Sequence, residues 1–384
     1  MGHTAMDKDF AGKTRIFLAA PFQPVGGGIG RMMTYLAQDG AALAPDFTFI
    51  PVETRGGGSP WLAPFYIFLA IIKLYQSRNA STILHVNMAE RASAWRKGAL
   101  IAAAKLFGIP SVLHLHAAEI IEVYQHLGTF KRHRLRDIFQ AATVVVVLDA
   151  QWQDFVHRQL GVDTVRIEIL PNGVPDPGNP NLYRSPLITE LLFAGNLLPR
   201  KGLADLLAAM AQSRFRTRQW RLTIIGAGDA QALYAKADAL GIGAHIHFLG
   251  WQPRALVTAA LRHTDIFVLP SHAEGLPLVV LEALSLAVPV VCTKVGALPS
   301  WLDDRKNALL VPIGNPAALA DAIATLITTP PLAASIGAGG RELYLESFTL
   351  QHFVHGLTAI YHLHCLTGRV CAPLAPAIPA LVES

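Results

Sequence analysis

The chain has 384 residues, of which 52% are hydrophobic and 15% are charged. This composition excludes an intrinsically disordered chain, and the length predicts two domains with large α/β cores. The formal net charge of +5 suits phosphate-bearing ligands or an anionic membrane surface, but by itself it does not indicate nucleic-acid binding, and we expect no nucleic-acid partner.

The cysteines and the N-terminus bear on the compartment. Cys292, Cys365 and Cys371 form neither a CxxC pair nor a metal-ligand spacing, which is typical of a reducing compartment without disulfides. The first fifteen residues are polar and mixed in charge, which is not a signal-peptide pattern. We therefore expect a cytoplasmic protein.

Short apolar, β-branched segments alternate with helical patterns, which predicts parallel sheets covered by helices on both faces. Strands are predicted at 14–19, 47–52, 83–86, 111–116, 143–148, 187–194, 221–225, 245–249, 266–269, 288–292 and 308–311. Because the pattern occurs twice, the predicted fold class is α/β with two doubly wound, Rossmann-like domains that face each other across a cleft.

The proline- and glycine-rich segment Pro171–Pro180 cannot form a helix and is expected to be the hinge. The predicted division is an N-terminal domain at 1–170, a linker at 171–186, a C-terminal domain at 187–345, a C-terminal helix at 346–371 that packs back on the N-terminal domain, and a flexible tail at 372–384.

Two glycine turns, at 26–30 and 226–228, each follow a predicted strand and let the backbone approach a phosphate. A helix is expected from about Met32, after the first turn. Neither turn completes the dinucleotide pattern GxGxxG, because the sixth position is Arg31 in the first and Gln231 in the second. The turns therefore do not indicate a dinucleotide-dependent dehydrogenase.

Two segments of the first half raise the question of a membrane. The apolar stretch Trp61–Tyr75 is shorter than the roughly 20 residues of a spanning helix. We expect a helix buried in the N-terminal domain, with a helix in a bilayer interface as the alternative. The basic run Lys131–Arg136 is either a solvated helix face or a docking site for anionic lipid or a lipid diphosphate.

Arg200 and Lys201 lie in the segment Gly195–Gly202, between a predicted strand and a predicted helix. Cations at such a junction are well placed to neutralise a diphosphate. The alternative is a solvated basic loop.

The segment Ser271–Glu282 is the most informative of the chain. Pro277 suits the first turn of a helix whose N-terminus attracts phosphate, and Glu274 in the preceding loop can reach ligand hydroxyls. Glu282 lies in an apolar run that looks buried, and a buried carboxylate needs a polar partner. A nucleotide sugar, with hydroxyls at both ends and phosphate between them, fits this arrangement; the alternative is a solvated helix start with two surface acids.

Together these segments resemble the retaining glycosyltransferases of family 4, which have the GT-B fold. The similar segments are the glycine loop Gly26–Gly30, the "PNGV" junction Ile169–Val174, the "GRLxxxKG" loop Phe193–Gly202, and two glutamates separated by seven residues, Glu274 and Glu282. The glutamate pair is the specific match. Leu113–Glu119 and the basic stretch after it look like enzymes of bacterial exopolysaccharide assembly.

The resemblance implies a retaining hexosyltransferase that uses UDP-hexose or GDP-hexose and a carbohydrate acceptor. The resemblance also implies a role for each matching residue. Lys201 would bind the donor diphosphate, with the amides of Gly275 and Leu276 assisting near the phosphate and Gly28 letting the first domain close on it. Glu274 would hold hydroxyls of the donor sugar, His116 would contact that sugar, and Glu282 would hold the ribose hydroxyls. The family's arginine is Asn196 here, and Arg200 is the candidate to replace its charge.

A further hypothesis combines the two segments with the resemblance: a peripheral enzyme that uses a polyprenyl-diphosphate-linked acceptor at the inner face of the plasma membrane. No His, Asp or Cys cluster has metal-ligand spacing and no Asp-x-Asp occurs, so we expect no cofactor and no catalytic metal. His85 and His114, inside strands, are expected to be hydrogen-bonded core residues. A nucleotide-sugar epimerase of the same fold and a non-catalytic nucleotide-sugar-binding protein remain alternatives.

Overall fold

A computed structural model describes residues 13–22, 27–56, 60–78, 81–89, 92–180, 187–215 and 218–366. Every strand pairs in parallel with its neighbours, in two sheets of six strands. We call the part built on the first sheet the N-terminal unit and the part built on the second sheet the C-terminal unit. The predicted tail, Gly26 and residues 181–186 of the predicted linker lie outside the described residues.

The N-terminal unit has the strand order β2-β1-β3-β4-β5-β6. Its strands are β1 (Thr14–Ala20), β2 (Phe47–Glu53), β3 (Thr82–Met88), β4 (Ser111–Leu115), β5 (Val144–Val147) and β6 (Ile167–Ile169). Its helices are α1 (Gly27–Leu43), α2 (Ala63–Gln76), α3 (Ala92–Leu106), α4 (Ile120–His126), α5 (Thr129–Ala141) and α6 (Ala150–Leu160).

The C-terminal unit has the strand order β12-β11-β10-β7-β8-β9. Its strands are β7 (Thr189–Ala194), β8 (Trp220–Ile225), β9 (Ile246–Gly250), β10 (Ile266–Leu269), β11 (Val290–Thr293) and β12 (Leu309–Val311). The helices of this half are α7 (Leu203–Met210), α8 (Ala230–Ala239), α9 (Arg254–Arg262), α10 (Leu278–Ser285), α11 (Leu298–Trp301), α12 (Pro316–Thr328), α13 (Pro330–Leu343) and α14 (Leu350–Ile360).

The central strands are buried on both faces, as expected for parallel sheets covered by helices. All four valines of β5 and all residues of β10 are buried. Local signals fix the helix ends: Asp149 accepts a hydrogen bond from the Trp152 N–H at the start of α6, and Gly161 ends that helix at a φ of 70°. The predicted fold class of two doubly wound α/β domains is confirmed.

The strand orders determine where a ligand can bind. In an open α/β sheet, ligands bind outside the carboxyl ends of the strands, where the strand order reverses. The reversal falls between β1 and β3 in the N-terminal unit and between β7 and β10 in the C-terminal unit. The loops after these strands meet across the cleft between the units.

After α13 the chain passes back to the N-terminal unit through α14. Val174 and Thr349 form an isolated parallel bridge at the crossing. Beyond α14, the Tyr361 hydroxyl lies 2.6 Å from His85 Nδ1 in β3, and His364 Nε2 lies 2.8 Å from Glu168 Oε1 in β6. The end of the described chain therefore packs on the first sheet.

Two predictions of secondary structure were wrong. The short strand β6 was missed because it leads directly into the turn-rich Pro171 segment. The helix expected from Met32 begins at Gly27, so that the glycines belong to its first turn. A side chain at Gly30 would collide with the carbonyl oxygen of Pro21, 2.5 Å from an added Cβ, which explains a glycine inside a helix.

The Trp61–Tyr75 segment was predicted to be buried, and it is not. Only one face of α2 packs on the unit, through Ala63, Ile67, Ala70 and Leu74. The other face exposes Phe65 (57%), Phe68 (59%), Ile72 (36%) and Tyr75 (50%), and Trp61 (91%) is exposed in the short turn of helix just before α2. These five residues are called the apolar face of α2 below.

Membrane-spanning segments were sought among the described residues. None of their helices is by itself long and apolar enough to cross a bilayer, whereas the bent pair Pro316–Thr328 and Pro330–Phe348 could do so by length and composition.

Candidate functional site

A cavity of about 440 Å³ lies between the two units, at the strand ends where both sheets reverse their order. Its walls come from the loops after β1, β3 and β4 on one side and after β7, β8, β9 and β10 on the other. The predicted site residues that line it are Gly28, His116, Asn196, Arg200, Lys201, Glu274, Gly275 and Leu276. The structure therefore brings eight of the nine predicted residues to one cavity.

Lys201 and Glu274 form the central ion pair of the cavity. Lys201 Nζ lies 2.5 Å from Glu274 Oε1, which also accepts a hydrogen bond of 2.7 Å from the Ser271 hydroxyl. The side chains of both members are largely buried, at 14% and 7% exposure. An ammonium and a carboxylate thus lie side by side in the wall of the cavity. A phosphate can approach the ammonium there, and a sugar hydroxyl can approach the carboxylate.

Two glycines allow the loops of the cavity to pack this closely. A Cβ at Gly275 would lie 2.9 Å from the carbonyl oxygen of His116, so only glycine lets the β10 loop meet the end of β4. Gly202 has a φ of +67°, and a Cβ there would lie 1.8 Å from the carbonyl oxygen of Pro270. Both positions serve the close approach of backbone to backbone.

Glu282 lies beside the cavity and is not among the described residues that line it. It is 6% exposed in α10. The Tyr35 hydroxyl donates to its Oε1 at 3.0 Å, and Arg31 Nη1 lies 3.3 Å from the same oxygen. Burial and the charge of Glu282 raise the pKa of Tyr35. The carboxylate predicted to hold ribose hydroxyls is therefore covered by two groups of α1.

His116 follows β4 at the edge of the cavity and is partly buried. Its Nε2 lies 2.9 Å from Asn87 Oδ1, and its ring contacts that of His114 at 4.0 Å between centroids, with the ring planes tilted by 31°. Burial lowers the pKa of His116 to about 3, so the ring is neutral at pH 7. His85 is hydrogen-bonded to Tyr361 as expected, whereas both ring nitrogens of His114 are buried without a partner, contrary to expectation.

Asn196 and Arg200 both line the cavity but serve the loops as well. Asn196 Oδ1 accepts a hydrogen bond of 3.3 Å from the Ala227 N–H, which ties the lysine loop to the second glycine turn. Arg200 Nη1 donates to the carbonyl oxygen of Ala273 at 2.9 Å. The Arg200 charge thus lies next to the Glu274 loop.

Polar contacts that the sequence did not predict join the two units. Asn172 Nδ2 donates to the Leu276 carbonyl at 2.8 Å, and Ser300 Oγ donates to Asp149 Oδ2 at 2.9 Å. The Trp301 indole N–H donates to the Leu148 carbonyl at 3.0 Å. Each of these side chains bonds a group distant in sequence, so no local pattern points to them.

Arg31, Tyr35 and Trp251 are site residues that sequence reasoning also missed. Arg31 and Tyr35 are four positions apart on α1, which places them on one helix face, and this spacing was the available signal. Arg254 lies over the Tyr35 ring at 4.5 Å. Trp251, 52% exposed after β9, lines the cavity as a free aromatic surface.

Metal-binding groups were sought in the same described part of the chain. Its His, Cys, Asp and Glu side chains contain no group of three or more placed to hold a metal ion.

Comparison with known proteins gives the family. Residues 28–173 match the profile of the glycosyl transferase 4-like domain, and residues 189–343 match that of the glycosyl transferases group 1. An uncharacterized glycosyltransferase of Methanocaldococcus jannaschii is 30% identical over 257 residues, which cover 66% of this chain and 68% of that protein. The chain belongs to the family 4-like glycosyltransferases of the GT-B fold.

A second relative matches this glycosyltransferase over a shorter region. The D-inositol 3-phosphate glycosyltransferase of Segniliparus rotundus is 30% identical over 226 residues, which cover 55% of this chain. The match spans only 50% of the length of that relative.

Solved structures share the GT-B fold. The sucrose-phosphate synthase of Thermosynechococcus elongatus has a TM-score of 0.74 at 20% identity, covering 91% of this chain and 98% of its own. The Anabaena protein HepE in complex with UDP-glucose has a TM-score of 0.66 at 18% identity, with the same coverage. At these identities the likeness shows the fold alone.

Proposed function

We propose that this glycosyltransferase moves a hexosyl unit from UDP-hexose or GDP-hexose to a carbohydrate acceptor with retention of configuration. The observation that carries the proposal is the buried Lys201–Glu274 pair, 2.5 Å apart in the cavity between the units. A structural neighbour, HepE, binds UDP-glucose. The charge of each residue in the cavity suggests which part of the donor it binds.

Lys201 and Arg200 bind the donor diphosphate, and their charge stabilises the leaving nucleoside diphosphate as the glycosidic bond breaks. The amides of Gly275 and Leu276, ahead of the N-terminus of α10, assist near the same phosphate. In this proposal the protein's own cations perform the role that a divalent metal has in other transferases. Transfer that persists in excess EDTA supports this part, and transfer lost with EDTA and restored by magnesium contradicts it.

Glu274 holds hydroxyls of the donor sugar, and the neutral His116 contacts the sugar from the N-terminal unit. A neutral imidazole can accept or donate one hydrogen bond without adding positive charge beside an oxocarbenium-like sugar. The acceptor hydroxyl attacks from the face that the diphosphate leaves, and the leaving phosphate takes its proton, so that configuration is retained.

Glu282 binds the ribose hydroxyls of the donor. For this, the ribose takes the position that the Tyr35 hydroxyl has at Glu282 Oε1. The α1 face with Arg31 and Tyr35 therefore has to move away from α10 when the donor enters. Closure on the bound donor then excludes water and limits hydrolysis.

The apolar face of α2 supports a role at the inner face of the plasma membrane, with a lipid-linked acceptor in exopolysaccharide or cell-envelope assembly. Trp61 and Tyr75 are side chains typical of bilayer interfaces, and Lys73 in the last turn of α2 and the exposed Arg78 just after the helix complement an anionic leaflet. The occupant proposed for this face is the surface of an anionic bilayer.

The basic run Lys131–Arg136 contributes less to this role than its sequence suggests. Arg132 Nε donates to the Tyr124 carbonyl at 3.0 Å, and Arg136 Nε donates to the Gln159 carbonyl at 2.8 Å. These two arginines hold α5 to its neighbours, so replacing them would test the stability of the unit. Docking is better tested on α2.

The direct test is transfer from a panel of UDP- and GDP-hexoses, with and without extracts containing lipid-linked sugars. We expect acceptor-dependent release of nucleotide by the wild type and about a 100-fold lower rate for Lys201→Ala, as for the loss of one oxyanion donor. Lys236→Ala, exposed on α8, is the control. A Lys201→Ala rate within twofold of wild type contradicts the proposal, and conversion of the donor without acceptor indicates an epimerase instead.

A further inference from the structure

A group of cations in the N-terminal unit lies outside the donor cavity. Arg55 follows β2, and Arg96 and Lys97 are neighbours on α3. These three residues are called the basic cluster. Their position is next to the cleft: β2 pairs with β1 up to Glu53, opposite Ala20, and the loop after β1 lines the cavity.

The carboxylate beside the basic cluster already has its hydrogen bonds. Glu53 Oε1 accepts the N–H groups of Thr54, Arg55 and Gly56 at 2.7 to 3.0 Å, and Oε2 accepts that of Phe22 at 3.0 Å. Burial alone would raise the pKa of Glu53, but the four backbone N–H groups lower it. Glu53 therefore serves the turn after β2, and its oxygens are not free for the arginines.

Lys97 is the most buried member of the cluster, at 0% exposure. Its Nζ donates to the Thr54 hydroxyl at 2.9 Å, which satisfies one of the three N–H groups of an ammonium. Burial, and after it the charge of Arg96, lower the pKa of Lys97 to about 7, against the smaller opposing effect of the Glu53 charge. A buried cation held mainly by a neutral hydroxyl is costly unless an anion joins it.

Arg96 has the same excess of donors. Its Nε is buried without a hydrogen-bond partner. Burial and the charge of Arg55 lower the pKa of Arg96, so the two guanidinium groups are close enough to repel each other. In the part of the chain that the structure describes, neither side chain forms an ion pair or a hydrogen bond. The cluster thus has several unused donors and more positive than negative charge.

We propose that the partly exposed Arg55 and Arg96 bind the phosphate or diphosphate of the acceptor, with the charge of the buried Lys97 behind them. Guanidinium groups match phosphate oxygens in a bidentate geometry, and a buried ammonium adds a point charge. The inference rests on the proposed function, because it names the class of acceptor: a sugar carried on a lipid phosphate.

The position of the cluster fits such an acceptor. Gly56 lies against the Tyr66 ring of α2, so the turn that carries Arg55 adjoins the helix with the apolar face. Trp95, next to Arg96 on α3, is 38% exposed. A lipid chain can follow α2 into the bilayer while the phosphate rests on the cluster and the sugar points to the cleft.

Isothermal titration with geranyl diphosphate, a soluble lipid diphosphate, tests the site without knowledge of the natural sugars. We expect at least tenfold weaker binding by Arg96→Gln and by Arg55→Gln. Lys105→Gln, exposed at the other end of α3, is the matched control and should bind as the wild type does. Both arginines are partly exposed, so these variants should fold, and a thermal melt checks this.

Lys201→Ala separates the cluster from the donor site. Binding of geranyl diphosphate that persists in Lys201→Ala and falls in Arg96→Gln supports the proposal. Binding that is lost only in Lys201→Ala, or unchanged in both arginine variants, overturns it. Donor-dependent thermal stabilisation should be unchanged in Arg96→Gln, so a failure of the cluster is distinguishable from a failure of the proposed transfer reaction.

A last arm distinguishes the two sources of phosphate. A lipid-linked acceptor predicts that Arg96→Gln weakens the binding of geranyl diphosphate but leaves flotation with phosphatidylglycerol vesicles unchanged. The reverse result would assign the cluster to bulk phospholipid headgroups and overturn the acceptor assignment.

Discussion

The two sides of the cleft differ in how their charges are matched. On the C-terminal side, Lys201 pairs with Glu274, and Arg200 donates to a backbone carbonyl. On the N-terminal side, Arg55 and Arg96 have no partner of this kind among the described residues, and α2 next to them exposes a row of aromatic side chains. Among the described residues, the cations of the C-terminal side are thus paired within the protein, whereas the N-terminal side has unpaired guanidinium groups and exposed aromatic rings.

This difference suggests a division of work. A preformed ion pair in the cavity between the units suits one small polar ligand, the donor. Unmatched cations beside an exposed apolar helix suit a larger amphipathic ligand, because its phosphate and its chain both need a protein surface. Each of the following experiments tests this difference between the donor side and the acceptor side of the cleft.

The largest effect is expected at the matched pair. Glu274→Gln keeps the shape of the side chain but removes the charge that holds Lys201 and the sugar hydroxyls. We expect kcat/KM for transfer to fall by about 100-fold or more, equivalent to about 3 kcal/mol. Steady-state kinetics with saturating acceptor measure it, and Glu346→Gln on the exposed turn after α13 is the control. A loss below threefold would remove Glu274 from the mechanism.

The second effect concerns the rigid packing behind the pair. Gly202→Ala places a Cβ against the Pro270 carbonyl at a φ of +67°, whereas Gly241 has a φ of +71° with nothing within 4 Å of an added Cβ. Gly241→Ala should cost about 1 to 2 kcal/mol, the cost of the backbone conformation alone. Gly202→Ala should cost clearly more in urea unfolding, and equal losses would show that the loop can relax.

The third effect concerns the buried histidines in the core of the N-terminal unit. Burial lowers the pKa of His85 and His116 to about 3 and that of His114 well below its ordinary value. The unfolded histidines bind protons below about pH 6.5 while the folded ones do not, so stability is lost as pH falls from about 6.5 toward 3. Each contributes a slope of up to about 1.4 kcal/mol per pH unit.

His114→Asn isolates one of these protons, since His114 has no hydrogen bond to lose. The unfolding free energy of this variant, measured in urea between pH 7.5 and 5.5, should depend less steeply on pH than that of the wild type. His355→Asn, exposed on α14, should keep the wild-type slope. An unchanged slope in His114→Asn would mean that the histidine titrates in the folded protein.

The smallest effect is expected on the apolar face of α2. Phe65→Ser with Phe68→Ser should weaken binding to anionic vesicles about tenfold, since two rings that are only partly buried in the interface contribute about 1.4 kcal/mol together, well below the value for full burial. Folding stability should change by less than about 0.5 kcal/mol because both rings are exposed. Leu256→Ser, exposed on the C-terminal unit, is the control. Equal flotation of all three proteins would leave α2 without a membrane role.

Much of the fold was predictable because periodicity and turn residues are local signals. The β-branched runs gave eleven of the twelve strands, and the glycine and proline turns separated them. The strand that was missed, β6, has three residues and runs into a turn. The burial of α2 was predicted wrongly because hydrophobicity alone does not tell whether a helix meets a core or a membrane.

The candidate site was predictable where its residues follow strands in recognisable loops, as Lys201 and Glu274 do. The partners of Glu282 were not, because Arg31 and Tyr35 approach it from the other unit, about 250 positions away in the sequence. The basic cluster was also missed. Arg55 and the Arg96–Lys97 pair are about 40 positions apart in the sequence, and only the fold, in which Lys97 bonds to Thr54, brings them together.

The binding of a nucleotide sugar tests the central claim most directly. Thermal unfolding of the wild type and of Lys201→Ala should be followed across a panel of UDP- and GDP-hexoses. We expect at least one donor to stabilise the wild type, by about 2.7 kcal/mol at a hundredfold excess over its Kd, and to have little effect on Lys201→Ala. If the two proteins are stabilised equally, the cleft around Lys201 and Glu274 is not the donor site.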